Sequence, residues 1–422
     1  MKVAVIGAGV VGISTAYALH RAGVEVTVLD RQPAAGLETS FANGALLHPS
    51  LVDPWNSPGI LKVLVNSLGK EDSAVLLRLK ALPSLIGWGI RFVRQSAPQC
   101  FEANALRNLR LAQYSLSQMK SLRDQTGIHY DEYQRGLMTL FRDTAAQQAM
   151  RAWYAKLAAH GLEFEWLSPR QSVDKEPALA PVETRLTGAL FAPQDEGGDS
   201  ARFCTELAQY LVSRGVVMRF NEPVTRLVRQ GNRIARLELG TGDVISADRY
   251  VLAAGSYSTP LADAVGIHLP VRPAKGYSLT LPRGSSGMAP LTPVSDTSLH
   301  MAVIPVGPDH VRVAGTAEFT GFDTGITQGR VDNLLRLLQQ LYPRFASTLD
   351  GVERRPWTGL RPMCADGVPV IGPSAIDNLF INTGHGHLGW TLAAGSGRVA
   401  ADLIVGRLPE VDARDYSLDR FN

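Results

Sequence analysis

Three glycines, Gly7, Gly9 and Gly12, fall as G-A-G-V-V-G directly after the apolar run KVAVI, and an acid, Asp30, closes a second such run, VEVTVLD. Strand, glycine turn, helix, strand and acid thus follow in order, and each part has a use. Gly7 permits a tight turn, Gly9 lets the backbone approach a pyrophosphate, and Gly12 lets the helix lie close on the strand. Free N–H groups from Val10 and Val11 onward would face the phosphates with the positive end of the helix dipole. Asp30, with its neighbour Arg31, stands 18 residues beyond Gly12, where a carboxylate can accept hydrogen bonds from an adenosine ribose. A 2′-phosphate would be repelled there, which argues against NADP. The competing reading, Met1 and Lys2 followed by the apolar core of a signal peptide over residues 3–19, explains neither the glycine spacing nor the acid.

Two later segments share this chemistry. In DRYVLAAGSYS (248–258) apolar residues run into Ala253, Ala254 and Gly255, whose small side chains admit a pyrophosphate or adenosine. In TGHGHLGWTLAAGSGRVAADLI (383–404) the turn Gly384, His385, Gly386, His387, Leu388, Gly389 opens a helix, so a second set of unpaired N–H groups can face a negative group. A nicotinamide enzyme needs no such C-terminal return, whereas a reduced flavin carries charge on its pyrimidine edge that a helix N-terminus stabilises. The alternative is a plain glycine-capped helix packed on the sheet. The three segments together favour FAD. No metal is expected: His385 and His387 have no carboxylate or cysteine near them in sequence, and their backbone amides are expected to matter more than their imidazoles.

The elements that must position these residues belong to a chain of 422, enough for two to three domains at about 150 residues each. With 45% apolar and 19% charged residues it can bury a large core, which excludes disorder. The 42 basic against 39 acidic residues, without a block of like charge, argue against nucleic acid as a partner. Cys100, Cys204 and Cys364 are too few and too scattered for a disulfide framework and fit a reducing compartment. After Asp30, RQPAAGLETSFANGALLHP reads as a loop able to lie against a cofactor. Residues 69–127 read as helical, with Pro83 and Pro98 expected to kink or end helices. GLMTLF (136–141) reads as a strand, followed by a helix capped by Gly161. LSPRQSVDKEPALA and GALFAPQDEGGDS read as a loop-rich link. A helix from Ala201, a strand meander to Gly255, strands over 268–316, a helix over 327–342 and a last strand at 378–384 complete the pattern.

The segments VAVIGAGVVGISTAYAL, TSFANG, PWNSPG, DEGGD, ADRYVLAAGSYSTPL, LPVRPAKGYSLTLP, RVAGTAEFTGFD, WTGLRPMCADGVPVIG and NTGHGHLGWTLAAGSG span nearly the whole chain. In them the sequence resembles the FAD-dependent D-amino-acid dehydrogenases, a branch of the D-amino-acid oxidase and glycine oxidase superfamily. The resemblance implies an α/β, D-amino-acid oxidase-like fold: a discontinuous Rossmann-like FAD-binding domain (1–50, 195–265 and 355–422) with an inserted α+β, mixed-sheet substrate-binding domain (51–194 and 266–354). It also implies oxidation of the Cα–N bond of a D-amino acid by hydride transfer to flavin N5, hydrolysis of the imine to a 2-oxo acid and ammonia, and transfer of electrons to a quinone or other respiratory acceptor. Cys364 is not placed like the anchoring cysteine of the related sarcosine oxidases, so FAD is expected to be noncovalent. Three alternatives stay open: an oxygen-using D-amino-acid or glycine oxidase, a dehydrogenase narrowed to a cyclic imino acid such as 4-hydroxy-D-proline, for which His48 and Asp53 speak, and a nucleotide-binding partner subunit that catalyses nothing.

In this family the arginine of the WTGLRP motif holds the substrate carboxylate, a role that falls on Arg361; the other reading is a salt bridge on a domain seam. Tyr277 matches a tyrosine that hydrogen-bonds or covers substrate, or is plain core. His48 either touches substrate or faces solvent. Ser40, Asn43 and Gly44 match the loop beside the flavin, and Val224 a position whose backbone meets adenine. Lys275 reads as a surface or domain-edge charge without chemistry. Residues 74–95 carry Arg78, Lys80, Arg91 and Arg94 and no acid among large apolar residues; they are too interrupted to span a bilayer, and read either as a peripheral contact with the inner face of the cell membrane or as buried helices. The expected location is the cytoplasm.

Overall fold

The computed structural model describes residues 1–66, 73 and 75–421, and the molecule is built around two sheets. The first has six strands in the order Val370–Pro373, Leu379–Thr383, Arg249–Leu252, Lys2–Ile6, Glu25–Leu29, Val217–Arg219. All its pairs are parallel except the outermost, between Val370–Pro373 and Leu379–Thr383. Its central strands are almost continuously buried, as strands covered on both faces must be. The chain ends meet here: Leu379–Thr383 lies one strand away from Lys2–Ile6, and Asn382 Nδ2 donates to Thr15 Oγ1 at 3.0 Å.

Close helix packing makes this half compact. The helix Val10–Arg21 crosses the C-terminal helix Gly389–Ile404 at Gly397, where a Cβ would come within 2.8 Å of the Ser14 carbonyl oxygen. At Gly395 a Cβ would come within 2.9 Å of Ser115, on the long helix Pro98–Thr126. Small residues in AAGSG thus bring three helix backbones together, and their lost side-chain area is offset by the closer contact of everything around them.

The second sheet has nine strands. Along it run Arg355–Cys364, Val271–Pro282, His310–Phe319, Met301–Val306, Val294–Asp296, Leu137–Phe141, Gly188–Ala192 and Glu165–Leu167, with Val75–Leu77 paired to His310–Phe319. It is mixed: Val294–Asp296 pairs in parallel with Leu137–Phe141, and Val75–Leu77 in parallel with His310–Phe319. Arg355–Cys364, within the 355–422 stretch grouped with the dinucleotide unit by sequence, is an edge strand of this second sheet. Its end returns to the first half, where Met363 bridges His385. A small sheet of Val224–Gln230, Arg233–Leu239 and Val244–Ile245 stands apart.

Several sequence expectations are corrected. Part of the expected helical stretch 69–127 is the strand Val75–Leu77, and residues 69–72 and 74 lie outside the described residues. Pro83 and Pro98 do not end helices; they sit in the first turns of Leu82–Arg94 and Pro98–Thr126, where a missing N–H costs nothing. The presumed loop-rich link contains the helix Pro169–Lys175, opened by a capping box of Ser168 and Gln171, and the wholly buried strand Gly188–Ala192. Lys275 is no surface charge. It is 1% exposed, with Nζ 3.4 Å from Glu318 Oε2, 3.1 Å from Asp323 Oδ2 and 3.0 Å from the Gly325 carbonyl.

Candidate active site

A single cavity of about 880 Å³ runs along the ends of the parallel strands and on to the second sheet. At one end, the Lys2–Ile6 strand turns at Gly7 into the helix that begins at Val10. A Cβ on Gly7 would lie 2.6 Å from the Ala253 carbonyl oxygen, and one on Gly12 would run into the Gly7 carbonyl. The turn is therefore closed to any larger residue. Gly9, the N-cap, offers no side-chain acceptor, and the Val10 N–H donates to Ser40 Oγ at 3.1 Å. Asp30 Oδ2 accepts from the Ala8 N–H at 2.6 Å and Oδ1 from the Gln32 N–H at 2.9 Å. Burial pushes its carboxyl up, against the pull of these two bonds. Arg31 pairs with Glu38 and lies over the Tyr257 ring, 3.7 Å from its centre.

The loop after Ser40 is pinned on several sides. Thr39 Oγ1 donates to the Leu360 carbonyl at 2.9 Å, Ser200 Oγ to the Ser40 carbonyl at 2.6 Å, and Ser278 Oγ to the Ala42 carbonyl at 2.6 Å. Asn43 Oδ1 caps the turn by accepting from the Ala45 N–H at 2.8 Å. This loop carries no regular structure of its own, so these bonds fix where Asn43 and Gly44 meet the cavity.

At the other end stands Arg361. It is part-buried on the cavity wall, its guanidinium carbon lies 5.5 Å from the centre of the Trp55 ring, and among the described residues its side chain makes one hydrogen bond, a long one of 3.4 Å, to the Thr316 carbonyl. Among the described residues no carboxylate pairs with it, and the salt bridge that the other reading needs is not among them. Burial lowers its pKa to about 10, so it remains a cation at neutral pH. A part-buried cation beside a cavity, with no carboxylate partner among the described residues, is a site for an anion. The His387 ring stacks on Trp55 at 5.4 Å, and His48, only 9% exposed, faces inward with Nδ1 unpartnered among the described residues. Burial takes His48 to about 4, and His385 and His387 to about 3, so all three are neutral. The imidazoles of His385 and His387 thus stand in the wall of the site alongside the backbone amides expected to matter more. His385 Nε2 has no partner among the described residues.

Tyr277 lines the cavity, but its hydroxyl donates to Glu318 Oε2 at 2.7 Å, which leaves its ring rather than a free hydroxyl to meet a ligand. Burial pushes up the Glu318 carboxyl; hydrogen bonds from Arg78 and Tyr277 outweigh this and hold it below its ordinary value. Of the residues singled out by sequence, Gly7, Gly9, Val10, Val11, Asp30, Arg31, Ser40, Asn43, Gly44, His48, Val224, Ala254, Gly255, Tyr277, Arg361, His385, Gly386, His387 and Gly389 line this one cavity. Gly12, Gly384 and Leu388 do not: Gly12 sets the helix on the strand, Gly384 packs near Val271, and Leu388 is core. Sequence reasoning passed over Trp55, Tyr257, Trp357 and Trp390, which form much of the wall. All four lay within quoted motifs, PWNSPG, ADRYVLAAGSYSTPL, WTGLRPMCADGVPVIG and NTGHGHLGWTLAAGSG, but an aromatic residue in a motif gives no sign of which way it faces.

Residues 2–403 match the DAO family, described as FAD dependent oxidoreductase. The chain is 42% identical over 421 residues to a D-amino acid dehydrogenase of Methylobacterium nodulans, covering 100% of this chain and 99% of that protein. It is likewise 42% identical over 423 residues to a D-amino acid dehydrogenase of Paramagnetospirillum magneticum, with the same coverage. Among solved structures, glycine oxidase from Geobacillus kaustophilus superposes with a TM-score of 0.76 at 22% identity, covering 99% of this chain and 97% of that one. L-proline dehydrogenase from P. horikoshii gives 0.77 at 17% identity, covering 100% and 97%. These two likenesses speak for the fold alone.

Proposed function

The chain belongs to the DAO family of FAD dependent oxidoreductases, and we propose that it is a D-amino-acid dehydrogenase in which Arg361 holds the substrate carboxylate. The single observation that carries this reading is the part-buried guanidinium of Arg361, without a carboxylate partner among the described residues, on the same cavity as the Gly7–Val10 turn. The residues present fit FAD: the Gly7 turn has no room for a Cβ, the N-cap of the helix beginning at Val10 is Gly9, with no side chain to fill the approach, and Asp30 and the small residues Ala254 and Gly255 line the cavity beside them. Gly7, Gly9, Val10, Val11, Asp30, Arg31 and Val224 would hold the adenosine diphosphate portion, and Ser40, Asn43, Gly44 and the turn His385–Gly389 the ring portion. Once bound, FAD supplies the two-electron acceptor for the hydride leaving the substrate Cα.

The protein's own share is then placement. Arg361 fixes a carboxylate in position and orientation, so the Cα hydrogen has one direction to leave in. His48, His385 and His387, held neutral, add no second cation to compete for that carboxylate or to repel a substrate amine. The reaction needs no strong acid or base at the Cα once the amine is neutral.

The reaction also needs an electron acceptor, for which a membrane quinone is our proposal. Among the described residues no helix is long and apolar enough to cross a membrane. The helix Leu82–Arg94 buries Leu85, Trp88 and Phe92 against Ala274, Phe319 and Met363, yet leaves Ile86 64% and Ile90 52% exposed. One face of this helix is thus buried, and the open face supports the proposed membrane contact. Lys80, Arg91 and Arg94 are exposed around these isoleucines without an acid in 74–95, a pattern suited to an anionic bilayer surface.

The test is anaerobic mixing of the flavin-loaded protein with a panel of D-amino acids. Bleaching of the flavin absorbance, with keto acid and ammonia as products and electrons recovered in a quinone, is expected. No bleaching by any amino acid would overturn the reading, and rapid peroxide formation in air would turn it into an oxidase.

A further inference from the structure

The segment between His48 and Trp55 brings an acid to the substrate end of the cavity. Asp53 lines the cavity, as do Leu51 and Trp55 on either side of it. Its two carboxylate oxygens share one donor, the Trp153 indole N–H, at 3.0 and 3.1 Å. A carboxylate has about four lone-pair positions, so one N–H leaves most of them unused. No cation among the described residues pairs with it, and burial carries its pKa to about 6, with the Trp153 bond the sole opposing influence.

Asp53 does not hold the fold together in the way that Asp195 does nearby. Asp195 is 1% exposed, lies outside the cavity wall, and takes both the Ser50 hydroxyl, at 2.5 Å, and the Ser50 N–H, at 3.3 Å. The segment is fixed by other bonds as well. Tyr154 donates to the Ser50 carbonyl at 2.9 Å, Asn108 Nδ2 donates to the Val52 carbonyl at 3.0 Å, and Pro54 packs where a Cβ on Gly367 would stand. Asp53 is therefore presented by a rigid backbone with unspent acceptor capacity. It shares a wall with Trp55, whose ring lies under Arg361.

We propose that Asp53 is a specificity-determining residue that accepts a hydrogen bond from the substrate side chain, so that the enzyme prefers D-amino acids bearing an N–H or O–H donor over aliphatic ones. This rests on the reading of Arg361 as the carboxylate anchor. With the carboxylate pinned there, the side chain projects into what remains of the cavity, and the unpaired acid on that wall rejects an apolar group that would bury it without a donor. The shared chemistry is a donor; its source is either a cationic side chain or a hydroxyl on a ring.

Two matched pairs separate these sources: D-lysine against D-norleucine, and 4-hydroxy-D-proline against D-proline, each assayed for kcat/KM with a dye acceptor. A preference of roughly 10- to 100-fold for the donor-bearing member of at least one pair is expected of the wild-type enzyme. Asp53→Asn should collapse a lysine preference, since the charge is gone, and largely keep a hydroxyl preference, since the amide oxygen still accepts. Asp53→Val should collapse either. Ratios near one in both pairs for the wild-type enzyme would overturn the proposal, and this needs no variant. So would a wild-type preference left unmoved by both substitutions while thermal stability falls, which would make Asp53 a brace for Trp153. Absence of turnover with every amino acid is a different result: it would remove the dehydrogenase reading, and this proposal with it.

Discussion

Gly276 lies directly beneath the guanidinium of Arg361: a Cβ at that glycine would occupy the space of Arg361 Nη1 and Cζ. The two belong to neighbouring antiparallel strands, with Ala274 opposite Arg361 and Gly276 opposite Gly359. The glycine of the KGYS motif thus clears the place in which the arginine rests. Gly276→Ala should move the arginine while leaving the sheet intact, because only the end of a flexible side chain has to yield. The expected outcome is a rise in KM for D-amino acids of about tenfold or more, with unchanged flavin content and a melting temperature close to that of the wild type.

Removing the cation itself separates binding from stability. Arg361→Ala should lower kcat/KM by about two orders of magnitude or more, since a charge-assisted pair with a carboxylate contributes ~1.5–3 kcal/mol and its orienting effect adds to that. Arg361→Lys should recover only part, because an ammonium does not hold both oxygens in one plane. The melting temperature should not fall much in either variant: the native cation has no carboxylate partner to lose, and its burial is a cost the folded state bears. Steady-state kinetics and a thermal melt on the same samples check both halves.

The parts of the molecule legible in the sequence were those whose physics is local. The Gly7–Gly12 turn, its flanking strands and Asp30 lie within thirty residues, and each residue's role follows from its neighbours. The strand Val75–Leu77 was not legible, because AVLLRL is an apolar run with no periodicity of its own and its pairing partner, Ala317–Phe319, is far away in the chain. Pro83 and Pro98 were misread because a proline marks a helix start as readily as a stop, and which it is depends on the residues after it. Lys275 was misread for a tertiary reason: its burial is made tolerable by Glu318, Asp323 and the Gly325 carbonyl, all brought from a distant stretch. Arg361 is the reverse case, a residue whose role came from resemblance and whose unpaired state only the folded chain displays.

Lys275 therefore has a structural consequence open to measurement. Lys275→Met keeps the volume but leaves Glu318, 1% exposed, with Arg78 as its remaining cationic partner, and frees Asp323 and Gly325 from the sheet. A loss of about 2–3 kcal/mol is expected, below the full cost of breaking a buried pair because Asp323 is solvent-facing and Arg78 remains. Denaturant unfolding would show it as a lower midpoint with the same slope.

Membrane contact predicts a different kind of variant. Ile86→Asp with Ile90→Asp places acids on a face that is already exposed, so stability and soluble-dye turnover should stay close to the wild-type values. Co-sedimentation with vesicles rich in anionic lipid should fall sharply, and quinone reduction in those vesicles should fall with it. Equal sedimentation of variant and wild type would remove this helix as the contact.

The buried histidines make acid sensitivity a test of the cavity's lining. His385 is 2% exposed and its pKa is lowered from about 6.5 to about 3 by burial. In the unfolded chain it takes up a proton as pH falls through about 6.5, while in the folded protein it stays neutral until near pH 3. Between these values the unfolded state binds the extra proton, so stability rises with pH and is lost on acidification. From pH 7 to pH 5 this one group should account for about 2 kcal/mol of lost stability, from a pKa difference counted at ~1.4 kcal/mol per unit between pH 6.5 and 5. His385→Asn removes the proton site and keeps a polar side chain. Buried carboxyls raised in the fold act in the opposite sense, as Asp53 at about 6 and Asp195 at about 7 do, so the wild-type profile alone mixes both signs. The difference between variant and wild type isolates the histidine. Urea unfolding of both holoproteins at pH 7 and pH 5 should show the variant losing about 2 kcal/mol less over that interval, and equal losses would mean that His385 is protonated, or reached by water, in the folded protein.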